Sequence, residues 1–273
     1  MRVIWNGTLA IGRLGVPVGL AVAQKRADVH FRTLHAPCGT PVSQRQRCPA
    51  CDQDVEPGET VRGWEAAPGQ FVLVPDYELD QLAPDTDRTI RVEHVVPEQK
   101  VPVVFRDRTY WLTPAPDRVN RRPYWLLAQA LHEEEAAAIA RFTLWGRENL
   151  GLVRPDPSSV GLALDTLYLA DDVREPVETR ELAREHHDVD QGDLRLARRL
   201  VRAMRARAFQ PHTQLTSGWR ENVQQLLEAK IHGRHWAPAD RPAPVAPVVD
   251  LERALRESLQ DANARRRPAA HRG

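Results

Sequence analysis

Lysine is almost missing from this chain: it occurs only at positions 25, 100 and 230 of 273. None of the three follows glycines in a Lys-Ser/Thr setting, so a phosphate-cradling loop is excluded. The Lys-x-Asp-Gly nucleophile of a nucleotidyl-transferring ligase is missing too, as is the Gly-x-Ser-x-Gly elbow of a serine hydrolase. No stretch approaches the ~20 apolar residues of a membrane span. Net charge is only +1 at pH 7, so bulk electrostatics announces no polyanion partner. Cysteine is scarce as well, with three in the chain. Any pairing would leave one thiol over, and the opening MRVIWNGTLAIGRLG does not read as a signal peptide, so a disulfide is not expected.

The three thiols that are there fall within residues 35–51, HAPCGTPVSQRQRCPAC. A His-x-x-Cys pair faces a Cys-x-x-Cys pair, and His35, Cys38, Cys48 and Cys51 together supply the four soft ligands of a closed tetrahedral site. With four protein ligands no position stays open for water. The expected metal is therefore a structural zinc that holds a hairpin, not one that activates a nucleophile. The alternative is a loop cysteine at 38, a Cys-Pro-Ala-Cys that lines a turn, and His35 in solvent; the second pair lacks the glycine that often follows such a knuckle. No cofactor is expected to be required for activity. Positive charge is nearly all arginine, either a coding bias shared with abundant alanine and proline, which is the simpler reading, or a choice of the fork that suits phosphate.

The pattern of the chain changes along its length. In the first part Val16, Val18, Leu20 and Val22 alternate, as do Ile90, Val92, His94 and Val96, and Ala138, Ala140, Phe142 and Leu144, all at strand spacing. Residues 160–170, VGLALDTLYLA, read as a buried strand. One helix interrupts, with Pro123 expected at its start and Tyr124, Leu127 and Leu131 on one face. Beyond residue 190 helices take over. Leu194, Ala197, Val201, Met204 and Ala208 form an expected apolar stripe, and Trp219, Val223, Leu226 and Leu227 mark a helix ending near Gly233. A Pro/Ala-rich linker follows, then a short helix with Asp250 as N-cap and Leu251, Leu255 and Leu259 on one face, then a basic tail. This divides the chain into a β-rich body at 1–190, a helical arm at 191–233, a linker at 234–249 and a detached helix with its tail at 250–273.

Two polar clusters could be taken for catalytic sites. His132 in HEEE (132–135) has no second histidine at i+4 and reads as a solvated helix end. HHDVDQGD (186–193) could hold a cation through His187, Asp188 and Asp190, which would make the protein a metal-dependent nuclease acting on DNA ends; the competing reading is a polar loop. A third reading is a zinc-stabilised adaptor that does not touch DNA.

The order of several segments is similar to that of the bacterial Ku proteins. They are IWNGTLAIGRLGVPVGL, VRGWEAAPGQFVLVPDYEL, YWLLAQALHEEEAAAIARFTLWGRENLGLVRP, LALDTLYLADDVREP and LLEAKIHG. The resemblance implies a mixed, β-rich α+β fold, a Ku-core β-barrel with an arch-like insertion forming half of a DNA-encircling ring, followed by a helical arm. It implies a non-catalytic homodimer that binds double-stranded DNA ends of any sequence in non-homologous end joining, in the cytoplasm on the nucleoid. It also implies a partner, a multifunctional ATP-dependent DNA ligase, contacted through Leu251, Leu255 and Leu259. A ring needs positive charge only on its inner wall, for which Arg13, Arg32, Arg45, Arg47, Arg141 and Arg147 are the candidates. The sequence departs from the family at Arg13-Leu14-Gly15, where an Asn-bearing loop is usual, and at QLTSGW, where Trp219 stands in for a tyrosine.

Overall fold

The computed structural model describes residues 2–25, 27–82, 87–157, 161–174, 190–206, 208–237 and 250–266. The chain divides into two compact units, one of residues 1–27 and 31–175, the other of 28–30 and 176–273.

In the first unit, β1 (Val3–Ile11) and β2 (Leu14–Val22) form an antiparallel hairpin turned by Gly12 and Arg13. Two small hairpins follow, β3 (Gln46–Cys48) with β4 (Gln53–Val55) and β5 (Arg62–Ala67) with β6 (Gln70–Val74), then a short helix α1 (Asp76–Gln81). The remaining elements are β7 (Thr89–Pro97), β8 (Arg106–Pro114), α2 (Arg118–Glu133), β9 (Ala136–Leu144), β10 (Arg147–Pro155) and β11 (Leu162–Leu167). Seven strands close into a barrel in the order β1, β2, β8, β11, β10, β9, β7. Every pairing is antiparallel except the last, where β1 runs parallel to β7 with Thr8 opposite Thr89 and Ala10 opposite Arg91. Gly7 permits that closure: a Cβ there would lie 2.1 Å from the Arg88 carbonyl oxygen, beside the bond from Thr8 N–H to the same oxygen.

Period-two alternation fills the barrel. Val16, Val18 and Leu20 of β2 and Ala138, Ala140, Phe142 and Leu144 of β9 point inward, with Leu9, Ile90, Leu112 and Leu164 among them. The strand at 160–170 is shorter than its sequence suggests, because β11 ends at Leu167. α2 lays Tyr124, Leu127, Ala128 and Leu131 on this core, and the buried Tyr124 hydroxyl donates to the Leu112 carbonyl (2.6 Å) and accepts from the Leu162 N–H (2.9 Å). Burial pushes the Tyr124 hydroxyl pKa up. Pro123 is not the helix start: α2 begins at Arg118 and carries the proline inside. Its missing N–H deletes one bond in an early turn, which the packing of the rest of the helix tolerates.

The second unit holds α3 (Gln191–Met204), α4 (Pro211–Gln214), α5 (Gly218–Ile231) and α6 (Leu251–Arg266). The Asp190 side chain caps α3 by accepting from Gly192 and Asp193 N–H. α5 ends as expected, with Gly233 at φ 64° and Arg234 N–H bonded back to the Ala229 carbonyl. Arg220 of α5 holds Asp28 at 2.7 Å. The stripe expected on α3 is corrected in part: Leu194 and Ala197 are half-buried, but Val201 and Met204 are each 70% exposed, Ala208 lies past the helix end, and Leu196, Leu200 and Ala203 are covered as well. α3 is apolar on more than one side, and packing against α6 decides which side is used.

Candidate nucleic-acid interface and metal-ligand pairs

The six candidate arginines fall into two groups. Arg141 on β9 faces out of the barrel between two carboxylates, donating through Nε to Glu93 (2.9 Å) and through Nη1 to Glu148 (2.8 Å). Hydrogen bonds from Arg141 hold the Glu93 carboxyl below its usual range. Two acids around one cation give this patch a net negative charge, and its fork is already occupied. Arg45 donates to Asp54 at 3.1 Å, and Arg47 donates to the Asp52 side chain at 3.0 Å and to its carbonyl at 3.1 Å. These two brace the β3–β4 hairpin.

Arg13, Arg32 and Arg147 are exposed, and no ion pair to any of them exists among the described residues. Arg13 sits in the β1–β2 turn. Arg147 opens β10 directly after Trp145 and Gly146, both at positive φ (53° and 73°), which turn β9 back into β10 in two residues. Trp145 is 68% exposed in spite of its strained backbone. Beside this turn lies a recess of about 420 Å³ lined by Asp107, Arg108, Leu144, Trp145, Arg147 and Asn149, among others. Its one lining carboxylate, Asp107, accepts from the Thr166 and Tyr168 hydroxyls. Trp145 and Arg108 line this recess beside Arg147 without being among the sequence candidates. The Trp-Gly pair between two alternating runs was the available signal, since a two-residue turn must put something at its tip.

The four metal-ligand candidates lie as two pairs, with His35, Cys38 and Cys51 exposed in loops and turns and Cys48 half-buried at the end of β3. His35 Nδ1 is 3.1 Å from Cys38 Sγ, and Cys48 Sγ is 3.6 Å from Cys51 Sγ. Among the described residues no three His, Cys, Asp or Glu side chains converge as ligands of one ion. Of the polar cluster at 186–193, His187 and Asp188 lie outside the described residues, and Asp190 is the α3 cap. His132 is exposed at the end of α2, as a solvated helix end requires.

The tail leucines lie on α6, which packs against α3. Leu255 and Leu259 are half-buried, and Leu251 is 53% exposed. Asp250 caps the helix through the Arg253 N–H. No helix among the described residues is long and apolar enough to cross a membrane.

A family model described as the Ku70/Ku80 beta-barrel domain matches residues 10–195, more than half of the chain. Among curated proteins, the chain is 31% identical over 270 residues to a non-homologous end joining protein Ku of Heliobacterium modesticaldum, covering 99% of this chain and 95% of that one. It is 34% identical to a protein of the same description from Anaeromyxobacter, covering 99% and 88%. A further such protein, from Symbiobacterium thermophilum, is 32% identical over 97% of this chain, which spans 64% of that relative's length.

Proposed function

This chain belongs to the Ku family, and from that premise we propose that it binds double-stranded DNA ends of any sequence during end joining, as a homodimer that encircles the duplex. The observation that carries this reading is the family match over residues 10–195, a stretch that holds six of the seven barrel strands whole and the end of β1. The reading gives the protein no catalytic step. Phosphate contacts alone position such a ring, and no base edge has to be read, so a chain of net charge +1 needs only a few uncompensated arginines facing the duplex. Arg13, Arg32 and Arg147 fit that need; Arg45, Arg47 and Arg141 are neutralised by their neighbours. The second copy is the proposed cover for the β5–β6 hairpin, where Trp64, Phe71 and Leu73 are each more than 60% exposed. A gel shift with linear duplex challenged by covalently closed circle tests the reading. No binding to linear duplex at all would leave the zinc adaptor, and trimming of the ends in magnesium or manganese would favour the nuclease.

The arginine assignment has its own test. Arg147→Gln is expected to reduce the salt dependence of binding by about 0.9 in log–log slope for each phosphate that the variant no longer neutralises, equally on all sequences. Arg141→Gln is expected to leave the slope unchanged, because its charge is matched by Glu93 and Glu148. A larger effect at 141 than at 147 would move the interface to the Glu93–Glu148 patch.

Ligase recruitment is the proposed role of α6. Its leucines are half-covered by α3 within the chain, so an arriving ligase must take α6 from α3 or use the exposed Leu251 side. Deleting residues 237–273 is expected to leave end binding intact and to lower ligation by the partner ligase several-fold, because a tethered helix acts through effective concentration. Leu251→Glu, which disturbs no covered residue, should lower ligation in the same direction. Loss of DNA binding by a deletion variant that stays folded would make the tail part of the clamp.

A further inference from the structure

The two candidate ligand pairs share one backbone construction. In the first, His35 and Cys38 are followed by Gly39 at φ 67°, whose N–H bonds to the His35 carbonyl at 2.8 Å. In the second, Cys48 and Cys51 are followed by Asp52 at φ 55°, whose N–H bonds to the Cys48 carbonyl at 2.9 Å. Asp52 thus does what the missing glycine would do. The left-handed conformation is disfavoured for a residue with a Cβ, and Arg47 holds it there by binding both the Asp52 carboxylate and its carbonyl. Each turn puts two donor atoms on one side, as two corners of a tetrahedron. With zinc bonds of about 2.3 Å to sulfur and 2.0–2.1 Å to nitrogen, the edges of that tetrahedron are about 3.8 Å for S···S and 3.6 Å for N···S. The observed 3.6 Å and 3.1 Å lie within about half an ångström of these values.

We propose that one zinc ion joins the two turns, bound by His35 Nδ1 and the Cys38, Cys48 and Cys51 thiolates, and so staples the exposed segment from 35 to 51. Binding joins the two pairs at one ion, with the thiol protons leaving to solvent. Four protein ligands close the shell, so the ion has no catalytic position. The site lies outside the barrel core, to which none of residues 35–51 belongs. Metal loss should therefore loosen this segment and leave barrel melting nearly unchanged, contrary to what a zinc-built body would do.

The full chain, reduced, saturated with zinc and desalted, should retain one zinc per chain, and its three thiols should resist a thiol reagent until a chelator is added. Cobalt loading should give a tetrahedral visible spectrum with intense sulfur-to-metal absorption. Cys38→Ser should weaken that absorption by about a third, and His35→Ala should lower metal affinity by 10-fold or more while keeping the sulfur bands. Protease cutting within 31–60 should rise at least several-fold on chelation. Wild-type protein that keeps no zinc would overturn the proposal, as would a cobalt spectrum indifferent to Cys38→Ser, which would mean a two-cysteine site. A Cys48–Cys51 disulfide found by mass in protein purified under reducing conditions would overturn it as well. The wild-type measurements decide the question even if a variant does not fold.

Discussion

Linear duplex DNA will bind this protein stably, and a covalently closed circle of the same sequence will neither bind stably nor compete. The expectation follows from the proposed ring: a closed ring reaches the duplex only through an end, whereas an open basic surface would bind any duplex. Salt gives the second half of the argument. With Arg13, Arg32 and Arg147 contributing from each of two copies, about six phosphate contacts predict a log–log salt slope of roughly −5. Loading should weaken on the order of 10³-fold between roughly 50 and 200 mM salt. Protein loaded on linear DNA that is then ligated into a circle should resist that salt, since dissociation would require the ring to open. Cutting the circle should release it. Equal retention on linear and closed DNA during loading would remove the ring and leave a non-specific binder of duplex; a slope near zero would remove the arginine wall.

How far the sequence reveals the fold depends on whether a feature is local. Strand alternation at Val16–Leu20 and at Ala138–Leu144 is written in neighbouring residues, and those positions are the buried ones. The closure of β1 onto β7 is not. It joins Thr8 to Thr89 across the β3–β6 hairpins, and only Gly7, where any side chain would strike Arg88, hints at it. The same limit misplaces part of the α3 stripe, because α3 has apolar residues on several sides and the choice is made by α6, about fifty residues further on. Helical spacing around 124–131 is legible, but the helix start is not: a proline favours a first turn, and the packing of Tyr124 and Leu131 that lets Pro123 sit inside α2 is a tertiary effect.

The candidate site is legible by residue type and not by pairing. Counting arginines cannot separate Arg147 from Arg141, which stand six residues apart and end in opposite electrostatic settings. What separates them is cross-strand register: Arg91 stands opposite Arg141, and Glu93 and Glu148 reach it from β7 and β10. For the metal ligands the spacing names the four donors, while the feature that makes Asp52 replace a glycine is a backbone angle held by Arg47.

Replacing Asp165 is the change expected to destabilise the barrel most. An acid in the middle of LALDTL, in a strand apolar but for the neighbouring Thr166, is 1% exposed. Its carboxylate binds Arg154 through both oxygens, at 2.7 and 3.3 Å, with Arg106 Nη1 3.7 Å away; Glu98 lies at the edge of the same group. Arg106 Nε, buried, has no hydrogen-bond partner, so this network already carries one unsatisfied donor. Asp165→Ala would leave two mostly buried guanidinium groups without their closest acid, with Glu98, about a third of whose side chain is in water, and the charge of Asp156 near Arg154 as what remains. Breaking a buried pair from one side costs about 3–5 kcal/mol, a large part of the roughly 5–15 kcal/mol that holds a domain together. For a barrel unit of this size the melting temperature should fall by roughly 10 °C or more. Changing both partners, Asp165→Leu with Arg154→Met, should recover much of that loss, because no pair then remains to be broken. Thermal melts of the three proteins decide the matter, and an Asp165→Ala protein melting within about 2 °C of the parent would show that the network adds little to stability.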